Sequence, residues 1–309
     1  MNPFINAQGY ATTGMFSVAI GAIANLILDP VFIFVFGLGI RGAAIATVLS
    51  QILSAAFVLY FLRKKTELKV RLLSGEEIRD CGRRAKNIIS LGTAGFIMQL
   101  TNSLVTICCN NVLSVTGGDM YISVMTIISS VRQMVETPIY AITEGSSPII
   151  SYNYGAGNSN RVRRAYRLLL ICSVCYAMLF CLLIQLFPGV FAAIFTSNAE
   201  LLAFTKPMLR IYTLALGLFG IQIACQMTFT ALGNAKASII VAVMRKFILL
   251  LPLIYMMPHL YTADLTKAVF MAEPVADVLA VAFTGVLFFF EFRKALRAIC
   301  LLYTSDAAD

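Results

Sequence analysis

Long apolar runs follow one another through nearly the whole chain, and they restrict the possible fold more than any motif does. They fall near residues 11–36, 43–62, 88–112, 121–141, 168–187, 208–232, 238–257 and 269–292. Each approaches or exceeds the roughly 20 residues that an α-helix needs to cross a hydrocarbon core. Apolar residues make up 59% of the 309 and charged residues only 13%, whereas a soluble domain carries roughly 25% charge. Mean hydropathy is +0.84. In lipid, each spanning segment must satisfy its own backbone hydrogen bonds, which selects helices. The expected fold class is an all-α polytopic membrane protein of about eight transmembrane helices.

The formal net charge of +9 does not point to nucleic acid, because the basic residues lie between the apolar runs. Arg63, Lys64, Lys65, Lys69, Arg71, Arg79, Arg83, Arg84 and Lys86 follow the second run. Arg161, Arg163, Arg164 and Arg167 follow the fourth, Lys236 follows the sixth, and Arg293, Lys294 and Arg297 follow the eighth. The intervening connections, around Asp119, Asn198 and His259, are poor in Lys and Arg. By the positive-inside rule the basic connections and both termini are cytoplasmic, in a cell (plasma or inner) membrane. The partners this implies are the lipid bilayer and its anionic headgroups. No obligate protein partner is indicated.

Four stretches are expected along the chain: 1–62 with two helices, a basic connector at 63–87, 88–297 with six helices, and a tail at 298–309. The connector mixes Glu67, Glu76, Glu77 and Asp80 with its cations. It reads either as a short surface helix or as a solvated linker. The tail is too short to span and breaks the basic trend, so it is expected not to be native to the fold. Ala7-Gln8-Gly9-Tyr10-Ala11 is echoed by Ala231-Leu232-Gly233-Asn234-Ala235. Each leads into two spans closed by a basic cluster, as in transporters built from parallel repeats. On that reading the first half lacks about four helices that the second half has.

Asn25 and Asp29 lie four residues apart, on one face of the first run, with Pro30 next to them. A carboxylate at membrane depth costs roughly 2.5–3.5 kcal/mol on insertion scales, so it marks a proton or cation site unless it sits at the membrane edge. Arg132, Gln133 and Glu136 form a polar group on the fourth run, either an ion pair facing the bundle or part of a transport site. Glu273 and Asp277 share a face of the eighth run beside Pro274. Two charged carboxylates there would repel, so one is expected to hold a proton. Gln99, Asn102 and Thr106 on the third run and Gln222 and Gln226 on the sixth form stripes, more typical of interhelical hydrogen bonding than of a cavity wall.

Cys108, Cys109, Cys172, Cys175, Cys181 and Cys225 lie in apolar runs and read as small buried apolar residues. No hydrolase, metalloprotease or nucleotide-binding motif appears, so the chain is not expected to be an enzyme or to carry a cofactor or metal.

Three motifs carry a family resemblance: Asn25-x-x-x-Asp29-Pro30, Gly42-Ala43-Ala44-Ile45-Ala46-Thr47, and Pro148-Ile149-Ile150-Ser151-Tyr152-Asn153-Tyr154-Gly155-Ala156-Gly157-Asn158. With these the chain resembles the multidrug and toxic compound extrusion (MATE) family, in its DinF-like branch. The resemblance implies a twelve-helix architecture in two six-helix lobes, of which this chain matches the last two helices of the N-lobe and a complete C-lobe. It further implies a secondary antiporter that exports organic cations or amphipathic metabolites against inward H⁺ or Na⁺. The coupling cation would be taken up by Asn25, Asp29 and Thr47. The family's partner Asp on the first helix has no counterpart here. Gln99, Arg132, Gln133, Glu136, Glu273 and Asp277 stand as a possible cavity or second site. A lipid-linked oligosaccharide flippase of the same superfamily and a non-transporting membrane scaffold remain as alternatives. The flippase would want a more basic cavity, with intramembrane arginine beyond Arg132.

Overall fold

A computed structural model describes residues 2–64, 75–261 and 264–306, and every regular element among them is helical. The chain divides into two compact units, Met1–Gly82 and Arg83–Asp309.

In the first unit a short helix α1 (Asn2–Ala7) leads into α2 (Ala11–Pro30) and α3 (Gly39–Lys64), which pack as a hairpin. The contact is made by small and hydroxyl residues, as expected where lipid removes the hydrophobic drive for association. Ser54 Oγ donates to the Ser17 carbonyl at 2.7 Å. A Cβ added at Gly21 would stand 3.2 Å from that of Ser54. At Pro30 the missing N–H and the ring disrupt the i→i−4 ladder. The next turn, Val31–Val35, is π-helical, and the Phe36 N–H reaches back to the Val31 carbonyl at 3.0 Å. A Cβ on Gly42 would lie 2.6 Å from the Phe32 carbonyl oxygen, so glycine permits α3 to start against this turn.

Helix α4 (Gly75–Thr116) begins in the first unit and continues into the second, which also contains α5 (Gly118–Gly155), α6 (Ser159–Leu186), α7 (Pro188–Ala193), α8 (Ala199–Tyr212) and α9 (Leu216–Ala231). The second unit continues with α10 (Ala235–Val243), a π-helical segment Met244–Leu250, α11 (Leu251–Leu260) and α12 (Leu265–Asp306). Residues 65–74 of the expected connector lie outside the described residues. From Gly75 the chain is one unbroken helix to Thr116. The fourth span also runs further than expected. Helix α5 continues through Pro138 and Pro148 to Gly155, and only residues 156–158 connect it to α6. Its last turns are anchored where Ser151 Oγ donates to the Ala231 carbonyl at 2.8 Å.

The expected sixth span is broken. Helices α8 and α9 meet at a 51° bend around residues 213–215, and α8 begins at Ala199, well before the predicted start. Thr213 Oγ1 bonds the Leu209 carbonyl, and its own carbonyl accepts from Cys181 Sγ at 3.4 Å. Beyond the bend, α9 lies so close to α6 that a Cβ on Gly220 would stand 2.6 Å from the Ser173 oxygen.

Among the described residues five helices are long and apolar enough to cross a membrane, or six with the bent pair counted as one. The stretches 88–112 and 121–141, expected as two further spans, lie within the helices α4 and α5. The two echo segments share a turn. Gly9 and Gly233 both adopt positive φ, +86° and +75°. In each, the following residue donates five residues back, Tyr10 to Ile5 and Asn234 to Phe229, a helix ending that favours glycine. Cys109, Cys181 and Cys225 are buried, but Cys172 and Cys175 are exposed on α6, contrary to expectation.

Candidate functional site

Among the described residues, each unit holds a polar group within its apolar helices. In the first unit the trio expected from sequence comes together. Helical spacing brings Asn25 over Asp29, and Asn25 Nδ2 donates to Asp29 Oδ1 at 3.3 Å. The α2–α3 packing brings Thr47 alongside, 3.4 Å from the same nitrogen. Thr47 Oγ1 in turn donates to the Ala43 carbonyl at 2.9 Å. Asn25 and Asp29 are half-buried and Thr47 is exposed. The trio therefore presents oxygen acceptors at an accessible position, the chemistry that suits a proton or a hard cation.

In the second unit three cations meet three carboxylates. Arg132 of α5 pairs through Nε with Glu136 one turn on, and through Nη2 with Asp277 Oδ2 at 3.1 Å. Its Nη1 stands 2.9 Å from Glu273 Oε1, but without the alignment of a hydrogen bond. Arg245 donates through Nε to Asp277 Oδ1 at 2.8 Å and through Nη2 to Glu273 Oε1 at 3.1 Å. Lys246 Nζ approaches Glu273 Oε1 at 3.5 Å. Arg132, Arg245, Glu273 and Asp277 are 6%, 8%, 3% and 2% exposed. Phe219 offers its ring to both guanidiniums, at 5.2 Å from Arg132 and 4.6 Å from Arg245, within cation–π range.

Arg245 and Lys246 are the residues that sequence reasoning missed. They sit in the π-helical segment, inside the predicted seventh span, and a charged dipeptide in an apolar run was the available signal. They also give Glu273 and Asp277 counter-charges that the eighth run alone did not show: Arg132 and Arg245 stand against both.

A cavity of about 610 Å³ opens beside this cluster. Gln99, Asn102 and Thr106 of α4 form one wall. Gln133 and Glu136 of α5 form another, and Arg132, Tyr212, Lys246 and Glu273 line it further. Asp277 is packed behind the wall and is not among the lining residues. The stripe on α9 does bond between helices: Gln222 Oε1 accepts from Thr284 Oγ1 of α12 at 2.8 Å. The volume is in the range of small-molecule sites.

A family model described as MatE matches residues 94–256. The chain is 24% identical over 288 residues to the multidrug export protein MepA of Staphylococcus saprophyticus subsp. saprophyticus, covering 91% of this chain and 61% of that protein. It thus spans about three-fifths of the length of the curated relatives it matches. Among solved structures, the outward-facing conformation of a multidrug resistance MATE family transporter of the MOP superfamily superposes with a TM-score of 0.83. It is 23% identical and covers 96% of this chain and 65% of that one. A MOP superfamily transporter from Pyrococcus furiosus, whose binding pocket is described as reversed in polarity, has a TM-score of 0.81 at 23% identity, covering 94% and 64%.

Proposed function

The chain belongs to the MatE family, and from that premise we propose that the protein works as a secondary antiporter, exporting organic cations or amphipathic metabolites in exchange for H⁺ or Na⁺. The observation that carries this reading is the trio Asn25, Asp29 and Thr47. It places a half-buried carboxylate on one helix beside an amide that also reaches a hydroxyl of the next helix. A carboxylate so placed is costly in lipid unless a proton or cation occupies it, and that differential makes it suitable for coupling. The adjoining Pro30 and π turn give the helix a point at which it can bend. The polar cavity of the second unit supports a place for substrate. The protein on this reading is multi-pass in the cell membrane, with its basic connections cytoplasmic.

A flippase for lipid-linked oligosaccharides gains something from Arg245 and Lys246. Those cations are balanced by Glu136, Glu273 and Asp277, so the cavity is not basic overall and the antiporter reading stands ahead.

The test is flux in liposomes holding the purified protein, with a fluorescent organic cation and an imposed H⁺ or Na⁺ gradient. Flux should follow one gradient and be lost in Asp29→Asn, which preserves shape and removes the charge. Flux that survives collapse of both gradients, or that persists in the variant, overturns the reading.

A further inference from the structure

A second cavity, of about 520 Å³, lies at the basic ends of α6 and α12 and combines two chemistries that the coupling site does not use. At its rim are Arg163 and Arg167, one helical turn apart on α6, and Arg293 on α12. All three are exposed, and none pairs with a described carboxylate. Below them the wall is apolar. On α12 the stripe Gly285, Phe288, Phe289, Phe292 and Leu296 repeats every three to four residues along one face. Tyr166 stacks on Phe288 at 4.5 Å and turns its hydroxyl inward to Cys225 Sγ at 3.4 Å, so it adds a ring rather than a charge to the wall. Glycine at 285 leaves the deep end open, with nothing within 4 Å of where its Cβ would be.

Charge is sorted around α12 in a way that keeps this rim basic. Glu291 is turned to the other side, where it accepts from Asn234 Nδ2 at 3.0 Å, and no Asp or Glu lines the cavity. Arg293 is held over the Phe289 ring at 3.9 Å, which orders its guanidinium at the mouth. From Arg293 down to Gly285 the helix runs about 12 Å, within the depth of one leaflet of a hydrocarbon core about 30 Å thick. Guanidinium groups above an apolar wall that stays within one leaflet are complementary to a phosphate diester carrying an acyl chain.

We propose that this cavity binds an anionic phospholipid of the leaflet at the basic ends of the helices. Arg163, Arg167 and Arg293 take the phosphate, and an acyl chain lies over the exposed ring of Phe289 toward Gly285, against the edges of Phe288 and Phe292, which are otherwise packed in the core. A soluble phosphate compound would use the rim but leave Phe289 and the open end at Gly285 without a partner, so the lipid is the occupant that accounts for both.

The chain has no tryptophan, so Phe289→Trp installs a single fluorescent reporter in the wall and keeps an aromatic ring under Arg293. The full chain is reconstituted in mixed vesicles, and quenching by brominated phosphatidylglycerol is compared with quenching by brominated phosphatidylcholine. Binding of the anionic lipid should be favoured about tenfold, and Arg163→Gln/Arg167→Gln/Arg293→Gln on the same background should bring the ratio near one. If that variant does not fold, Arg163→Gln/Arg167→Gln should still cut the preference several-fold. Arg161→Gln/Arg164→Gln, on the same helix end but outside the lining, should leave it unchanged. Equal quenching by both lipids overturns the proposal, as does a preference that survives loss of the rim arginines. An equal loss in the Arg161/Arg164 control reduces the effect to diffuse surface charge. Relief of quenching by millimolar inorganic phosphate makes the rim a free-phosphate site and overturns the lipid.

Discussion

Arg245 Nη2 lies 2.6 Å from Asp277 Oδ1, and this contact joins the π-helical segment between α10 and α11 to the middle of α12. Both side chains are buried, and each also meets a third group: Arg245 reaches Glu273, and Asp277 accepts from Arg132. The ion pair is thus one edge of a closed cluster rather than an isolated bridge.

Removing one member should therefore cost more than its own bond. Arg245→Met leaves Asp277 and Glu273 short of a counter-charge in a dry site, and the expected loss is about 3–5 kcal/mol. Arg245→Met/Asp277→Leu should recover part of it, because no charge is then left without its partner. Thermal unfolding of the purified variants in one detergent measures both.

The proposed coupling role of Asn25, Asp29 and Thr47 predicts a graded series. Thr47→Val and Asn25→Leu each remove one neutral hydrogen-bonding group near Asp29 and leave the carboxylate in place. Each should raise the ion concentration for half-maximal flux about fivefold, as loss of a net hydrogen bond of about 1 kcal/mol implies. Protein level in the membrane should be unchanged. Asp29→Asn should abolish the ion dependence altogether.

Acid sensitivity is expected at the start of α12. Asp264 Oδ1 accepts from the Thr266 hydroxyl at 2.6 Å and from the Lys267 backbone N–H at 3.1 Å, capping the helix. The Thr266 hydroxyl first, then Lys267, holds its carboxyl down from the ordinary 3.8 to about 2. A depressed folded-state value stabilises above the unfolded-state value and is lost as pH falls through the folded one. Local hydrogen-exchange protection of the first turn of α12 should thus fall between about pH 4 and pH 2. Asp264→Asn, which keeps a cap acceptor but does not titrate, should flatten that slope.

Close helix approach at glycine gives a packing prediction. The Cβ of Gly220→Ala would meet the Ser173 carbonyl at 2.6 Å, and backbone there has little room to give. The variant should lose about 1–3 kcal/mol in thermal unfolding, the range for overpacking a close contact. Gly285→Ala, with nothing within 4 Å, should lose far less.

Orientation is tested by cysteine-accessibility labelling on a cysteine-free background. Position 158, in the short link after α5, should label from the cytoplasm, and positions 119 and 259 from outside. Labelling of position 158 from outside would reverse the assignment.

Composition and periodicity alone determined that the chain is helical and membrane-embedded, because an apolar run about 20 residues long has few other stable fates. The trio was equally legible. Asn25 and Asp29 are joined by helical spacing, and Thr47 was singled out by the family resemblance and is brought in by a short hairpin. What lay beyond the sequence depends on contacts between distant segments. The bend after Tyr212 carries no proline or glycine in residues 213–215, and its freed backbone groups are met by Cys181 and Gln185 from α6. The partners of Glu273 and Asp277 come from 27 to 145 residues away, so no local pattern could supply them. A carboxylate's protonation and purpose are set by the charges that tertiary packing brings to within about 3 Å, where Coulomb interactions in a dry interior outweigh any preference of the residue itself.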